Sequence, residues 1–167
     1  MSADAQIKSK KLNQAIGSLV KQIRHKKYHE SLKDAVTYQE FFANKMLIIA
    51  IIRQGVPFSF FELIQEYTPF SERDWAGFLD ISTKSLQRYK TDKQHLFKAS
   101  HSEKIIALAE VTNLGLEVFG EMEKLRLWFN TPNFSLGNLT PIELLKDAYG
   151  KELVMGELTR INHGIFV

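Results

Sequence analysis

Thr83, Lys84, Gln87, Arg88 and Lys90 fall in one short stretch, and their types are those that read nucleic acid. An arginine forks onto guanine, a glutamine onto adenine, and lysine or threonine serves either bases or phosphates. Residues 82–98 carry five Lys/Arg and one Asp, a local +4 where phosphates would lie. A second group closes the chain in "LTRINHGIFV". There Arg160, Asn162 and His163 can hydrogen-bond, Ile165, Phe166 and Val167 supply apolar area, and Gly164 permits a close turn. The terminal carboxylate adds one anion. Chain ends fray in water unless something holds them, so this tail either packs on the chain's own last helix or plugs another molecule's cleft. Burying Ile165 and Phe166 would be worth about 1.5–3 kcal/mol each.

Neither group is catalytic, and no other residues make a case for an enzyme. The chain has no glycine-rich phosphate loop, no G-x-S-x-G and no H-E-x-x-H. His25 and His29 lie four apart, but among Arg24, Lys26 and Lys27, a poor place to hold a cation. Glu117, Glu121 and Glu123 suit helix-surface solvation, and Trp128 and Phe129, at helical spacing from Leu125, suit a core. With no Cys, disulfides and thiolate metal sites are excluded. No catalytic residue, metal site or cofactor is expected.

The elements that must position these groups are helical. Leu12, Ile16, Leu19 and Ile23 recur at helical spacing within a basic segment, residues 1–35, that fits an arm, a dimer helix or a disordered tail. A buried helix is expected from Tyr38 to Arg53, broken by Gly55-Val56-Pro57. "FSFFELIQEY" reads as a helix capped by Ser59 and closed before Pro69. Ser71 opens the next, with Asp74 at capping-box spacing. Asp80-Ile81 makes a turn, and Ser82 caps "TKSLQRYK". Helices follow over His101–Leu116 and Glu121–Phe129, then a loop through Pro132 and Gly137. Thr140-Pro141 starts a helix that Gly150 ends, and Lys151–Ile161 forms the last one. The expected fold is all-α, divided as 1–35, 36–98 and 99–167.

Within that order, 72–89 matches the register of a helix-turn-helix. Counting from Glu72, the positions that hold two such helices at a fixed angle are Trp75, Ala76, Leu79, Ile81, Leu86 and Tyr89, all apolar or aromatic. Asp80 replaces the usual turn glycine and tolerates a left-handed backbone better than most residues. The bland alternative is a helical hairpin with a polar face. Residues 58–98 balance at six basic and six acidic residues, so one copy should bind DNA weakly. Affinity would need dimerisation, the basic N-terminal segment or a multi-copy complex.

Residues 58–167 resemble a known family. "SEK" at Ser102–Lys104, "EVFGEMEKLRLWFNTPN" at Glu117–Asn133, "LGNLTPIELL" at Leu136–Leu145, "YG" at Tyr149-Gly150 and the closing "LTRINHGIFV" resemble the toxin-binding domain of the MbcA/ParS/Xre antitoxins. The preceding "FSERDWAGFLDISTKSLQRYK" resembles the helix-turn-helix of the Xre branch. Two places depart: the loop reads Gly137-Asn138-Leu139 where a second glycine is frequent, and the tail ends in Phe166-Val167 where small residues are usual. The resemblance implies a type II antitoxin whose partner is a RES-domain toxin that consumes NAD⁺. It implies that the C-terminal segment occludes the toxin's substrate entrance and that the helix-turn-helix represses the pair's own operon.

Charge agrees with two unlike partners: residues 1–34 carry a local +5 and residues 99–167 a local −3, within a net +3. The expected partners are the toxin, operator DNA, and a second copy or a larger hetero-oligomer with toxin. The longest apolar run, Met46–Ile52, is far short of the roughly 20 residues of a membrane span, and "MSADAQIK" is not a secretory start. A cytoplasmic protein is expected. The rival reading is a stand-alone repressor whose C-terminal domain only dimerises.

Overall fold

The structure, a computed structural model, describes residues 3–24, 37–92 and 94–165. The basic stretch that begins at His25 and includes His29, and the final Phe166 and Val167, lie outside those residues. The described chain is helical, in the order α1 (Ala3–Arg24), α2 (Tyr38–Ala43), α3 (Lys45–Gln54), α4 (Phe58–Glu66), α5 (Glu72–Phe78), α6 (Thr83–Thr91), α7 (Ala99–Phe119), α8 (Met122–Phe129), a 3-10 turn (Phe134–Leu136), α9 (Pro141–Leu144) and α10 (Ala148–Asn162). Extended pairing among the described residues is limited to two isolated bridges, Pro57 with Leu96 and Asn133 with Leu139.

The chain forms two compact units, one from residues 1–67 and 84–106, the other from 68–83 and 107–167. In the first, α1 packs against α2, α3 and α4. Leu12, Ile16 and Leu19 are buried as their spacing predicts, and Val20 joins them. Each such burial contributes about 1.5–3 kcal/mol. Asn13 Oδ1 accepts the Tyr38 N–H at 2.7 Å, tying α1 to the start of α2.

The pattern over Tyr38–Arg53 predicts one helix, and two are present. Asn44 separates them because its side chain accepts the Leu47 N–H at 3.0 Å and so caps α3. Ser59, expected as a cap, is not one: α4 starts after Pro57, and Ser59 lies inside it. The Phe97 ring anchors this core, 5.1 Å from Phe61 and 5.8 Å from Tyr89. The chain around it is fastened to residues 56–58 by Phe97 N–H to Val56 O at 2.9 Å and Phe58 N–H to His95 O at 3.0 Å. Ser102, the first residue of the "SEK" motif, is fully buried beneath this junction. Its hydroxyl accepts the Val56 N–H at 2.9 Å and donates to Phe97 O at 3.0 Å.

In the second unit, α5 begins with the expected capping box: Ser71 Oγ accepts Asp74 N–H at 3.2 Å, and Asp74 Oδ2 accepts Ser71 N–H at 2.8 Å. Phe70 gathers Trp75, Phe78 and Phe129 at ring distances of 5.9, 5.2 and 5.2 Å. Leu125 and Phe129 are buried, as their spacing on α8 predicts. Thr140 and Glu143 form a second capping box at α9. The Thr140 hydroxyl, and then its backbone N–H, hold the Glu143 carboxyl below its ordinary pKa. Lys151 Nζ reaches Glu110 Oε2 at 2.6 Å, linking α10 to α7.

Gly150, expected to end a helix, instead lies within the first turn of α10. Asp147 caps that turn, accepting the Gly150 N–H at 2.7 Å. A Cβ on Gly150 would collide with Leu144 O, so the glycine is there because α9 crosses against it. In the loop Gly137-Asn138-Leu139, where the resemblance often has a second glycine, Asn138 has φ +60, a conformation asparagine tolerates.

Candidate functional sites

The turn between α5 and α6 has the expected form. Asp80 adopts φ +52, and the Ile81 N–H closes back to Ala76 O at 3.0 Å. Trp75, Ala76, Leu79 and Leu86 are buried, and Ile81 and Tyr89 half-buried. Thr83, Lys84, Gln87, Arg88 and Lys90 are all exposed on α6. Lys90 Nζ also lies 3.4 Å from Glu62 Oε1, an exposed pair that contributes little. Arg88 spans its neighbour, its guanidinium 5.6 Å from the Tyr89 ring centre.

The end of α6 rests on a histidine to which the sequence pattern assigns no role. The His95 ring stacks on Tyr89 at 3.7 Å and meets Phe97 edge-on at 4.9 Å. Its Nε2 is buried and has no hydrogen-bond partner among the described residues. Burial lowers the His95 pKa; Asp92 opposes that shift and Arg88 adds to it. Folding therefore favours the neutral ring. A group whose folded pKa is depressed below about 6.5 binds its proton first in the unfolded chain. Its contribution is whole above that pH and is lost as pH falls toward the folded pKa. The melting temperature of the protein should accordingly drop on acidification from pH 7 to 5, and the drop should be smaller in His95→Phe. Equal acid sensitivity in both proteins would contradict this.

The second unit exposes apolar side chains that its core does not use. Phe134 is 77% exposed and Tyr149 82% exposed, and Leu127, Leu139 and Leu153 are exposed with them. None of these is among the binding residues expected from sequence. A signal for one of them exists: Leu127 is two residues from both Leu125 and Phe129, so it points away from the face they bury. Phe134 sits on a held loop, not a loose one. Asn133 N–H donates to Leu139 O at 3.0 Å, Asn138 N–H to Asn133 O at 2.9 Å, and Asn133 Oδ1 accepts Ser135 N–H at 2.9 Å. The 3-10 turn that carries it packs against α10.

At the far end of α10, Arg160 is committed within the chain, its guanidinium 3.0 Å from Glu157 Oε2. Asn162 and His163 are exposed. The helix stops in a Schellman arrangement, with Gly164 at φ +71, Gly164 N–H to Ile161 O at 2.9 Å and Ile165 N–H to Arg160 O at 3.0 Å. Ile165 then stands 54% exposed, so the core does not absorb it. The roles expected for Phe166 and Val167 lie outside the described residues. Among the described residues no group of three or more His, Asp or Glu could hold a metal ion, and no helix is long and apolar enough to cross a membrane.

Two family models match the chain: the antitoxin Xre-like helix-turn-helix domain over residues 47–110, and the antitoxin Xre/MbcA/ParS C-terminal toxin-binding domain over residues 114–164. Among curated proteins, the antitoxin Xre of Photorhabdus laumondii subsp. laumondii is 30% identical over 117 residues, covering 70% of this chain and 78% of that one. The antitoxin Xre of Yersinia enterocolitica serotype O:8 is 25% identical over 121 residues, covering 72% and 81%. A chain in the crystal structure of the M. tuberculosis MbcT-MbcA toxin-antitoxin complex shares the fold, with a TM-score of 0.52 at 22% identity, over 64% of this chain and 94% of that chain. An all-α chain with an exposed basic helix after a left-handed turn, followed by a helical unit that displays apolar side chains, is thus matched in both halves, and the protein belongs to the Xre antitoxin family.

Proposed function

We propose that this protein neutralises a RES-type, NAD⁺-consuming toxin by covering its active-site cleft with the second unit, and that it represses its own operon through α6. The observation that carries the first half is the exposed apolar set on residues 127–165, held on capped and hydrogen-bonded elements. Exposed apolar side chains carried on held elements favour a protein partner. The toxin class rests on the resemblance of the motifs from Ser102 to the terminus. Arg160, Asn162, His163, Gly164, Ile165, Phe166 and Val167 are the residues assigned to the cleft entrance.

The test is co-expression with the product of the adjacent reading frame, following growth, cellular NAD⁺ and co-elution. Restored growth with NAD⁺ preserved and a stable complex supports the proposal. A chain that neither binds nor protects leaves the stand-alone repressor in its place.

The DNA half is tested separately. Lys84→Ala combined with Arg88→Ala should weaken operator binding. The slope of log affinity against log salt should fall by about one for each phosphate that is no longer neutralised. Retention unchanged at every salt concentration would mean that α6 is scaffold only. Because operator affinity is shared across copies, the assay is best run on the toxin complex as well as on the chain alone.

A further inference from the structure

The exposed face of α10 carries a glycine that the fold does not need. Gly156 stands in the middle of a 15-residue helix and is exposed. Glycine inside a helix costs stability relative to alanine, through backbone entropy. A Cβ at Gly156 would meet nothing within 4 Å, in contrast to Gly150 on the same helix, where it would strike the Leu144 backbone. Its φ is not positive, so no special backbone conformation calls for it. What glycine offers at an exposed helical position is room for another backbone to come close.

The spacing of its neighbours defines a face. Tyr149 and Leu153 lie seven and three residues before Gly156, and Arg160 four residues after it, so all four share one side of the helix. Tyr149 and Leu153 are exposed, and Arg160 is half-buried. Apolar anchors therefore flank the glycine on one side, and the Arg160–Glu157 pair and the tail follow on the other.

We propose that the toxin packs a segment of its own backbone directly on Gly156, with Tyr149 and Leu153 seated in an apolar groove of the toxin. The inference rests on the antitoxin reading above. It names the toxin as occupant, rather than a second copy, because the whole face lies within the stretch matched by the toxin-binding domain, residues 114–164. The face also adjoins the start of the tail, since Arg160 O accepts the N–H of the exposed Ile165.

The experiment compares wild type, Gly156→Ala and Gly156→Leu, each for melting temperature, self-association and affinity for the purified toxin. Gly156→Ala should melt about 2–4 °C higher and yet bind the toxin at least tenfold more weakly. Gly156→Leu should remain folded and lose toxin binding altogether. Wild-type toxin affinity in the Ala variant overturns the proposal while leaving the antitoxin reading standing. A lower melting temperature also overturns it, because the glycine would then serve the fold. Loss of self-association with toxin affinity unchanged assigns the face to a second copy, again against the proposal. If the wild-type chain itself fails to bind the toxin, the antitoxin reading falls and this inference with it.

Discussion

Gly150→Ala is expected to destabilise the protein by about 3 kcal/mol, the upper end of the usual cost of overpacking, because the added methyl has nowhere to go. Built on the present backbone, the Cβ collides with Leu144 O and falls 2.7 Å from Leu144 C and 3.0 Å from Leu144 Cα. These are main-chain atoms, which a rotamer change cannot move aside. Relief requires α9 and α10 to part, which breaks the packing of α9 on α10 and disturbs the Asp147 cap that accepts the Gly150 N–H. Urea unfolding should show the midpoint falling, and toxin co-elution should weaken with it because α10 carries the proposed contact face. The comparison with Gly156→Ala is direct. One helix and one substitution give opposite signs, since the first methyl meets backbone and the second meets open space. A Gly150→Ala variant as stable as wild type would show that α9 does not cross α10 as described.

Removing residues 164–167 is expected to abolish neutralisation while leaving the fold and operator binding nearly unchanged. The described structure explains why the cost to the fold is small. Ile165 is mostly exposed, and among the described residues the bonds removed are the two Schellman closures onto Ile161 O and Arg160 O, while the His163 N–H still closes onto Thr159 O and Arg160 O. The cost to the complex is large. Ile165 alone, if buried on the toxin, contributes about 1.5–3 kcal/mol, roughly a 10- to 150-fold change in affinity, and Phe166 would add a comparable amount. The measurement is growth protection and preserved NAD⁺ in cells expressing the toxin, beside a thermal melt and an operator-binding titration of the truncated chain. Full protection by the truncated chain would remove the tail from the mechanism. A parallel loss of operator binding would favour a tail that serves dimerisation.

Local hydrogen-bond chemistry and short-range pattern are legible in the sequence. Ser71 with Asp74 and Thr140 with Glu143 sit three apart, and each pair forms its capping box. Asp80 has the residue type of a left-handed turn and is one, since the choice lies in its own φ. The apolar register from Trp75 to Tyr89 and the motifs from Ser102 onward point to both halves of the family match. What the sequence hides depends on neighbours distant in the chain, or on one residue type serving two purposes. Gly150 looks like a helix stop, and only the crossing of α9 reveals it as a close-approach site. Ser59 and Asn44 are both plausible caps by type, and the one that caps is the one whose side chain meets an orphan N–H. Ser102 is recognisable as part of a motif, but its bonds to Val56 and Phe97 join segments a linear reading does not bring together. Leu127 alone is legible from its spacing against Leu125 and Phe129, while the exposure of Phe134, Tyr149 and Leu153 is hidden because an apolar residue is ordinarily assigned to the core.

If toxin is held by the surface spanning 127–165, its binding must shield that surface from solvent. Amide hydrogen exchange of the full chain, alone and saturated with toxin, tests this most directly. The predicted result is new protection in the 3-10 turn at Phe134–Leu136, along α10 and into the tail, with α6 exchanging as before. Protection that instead gathers on α6 or α3, with α10 unchanged, would contradict it.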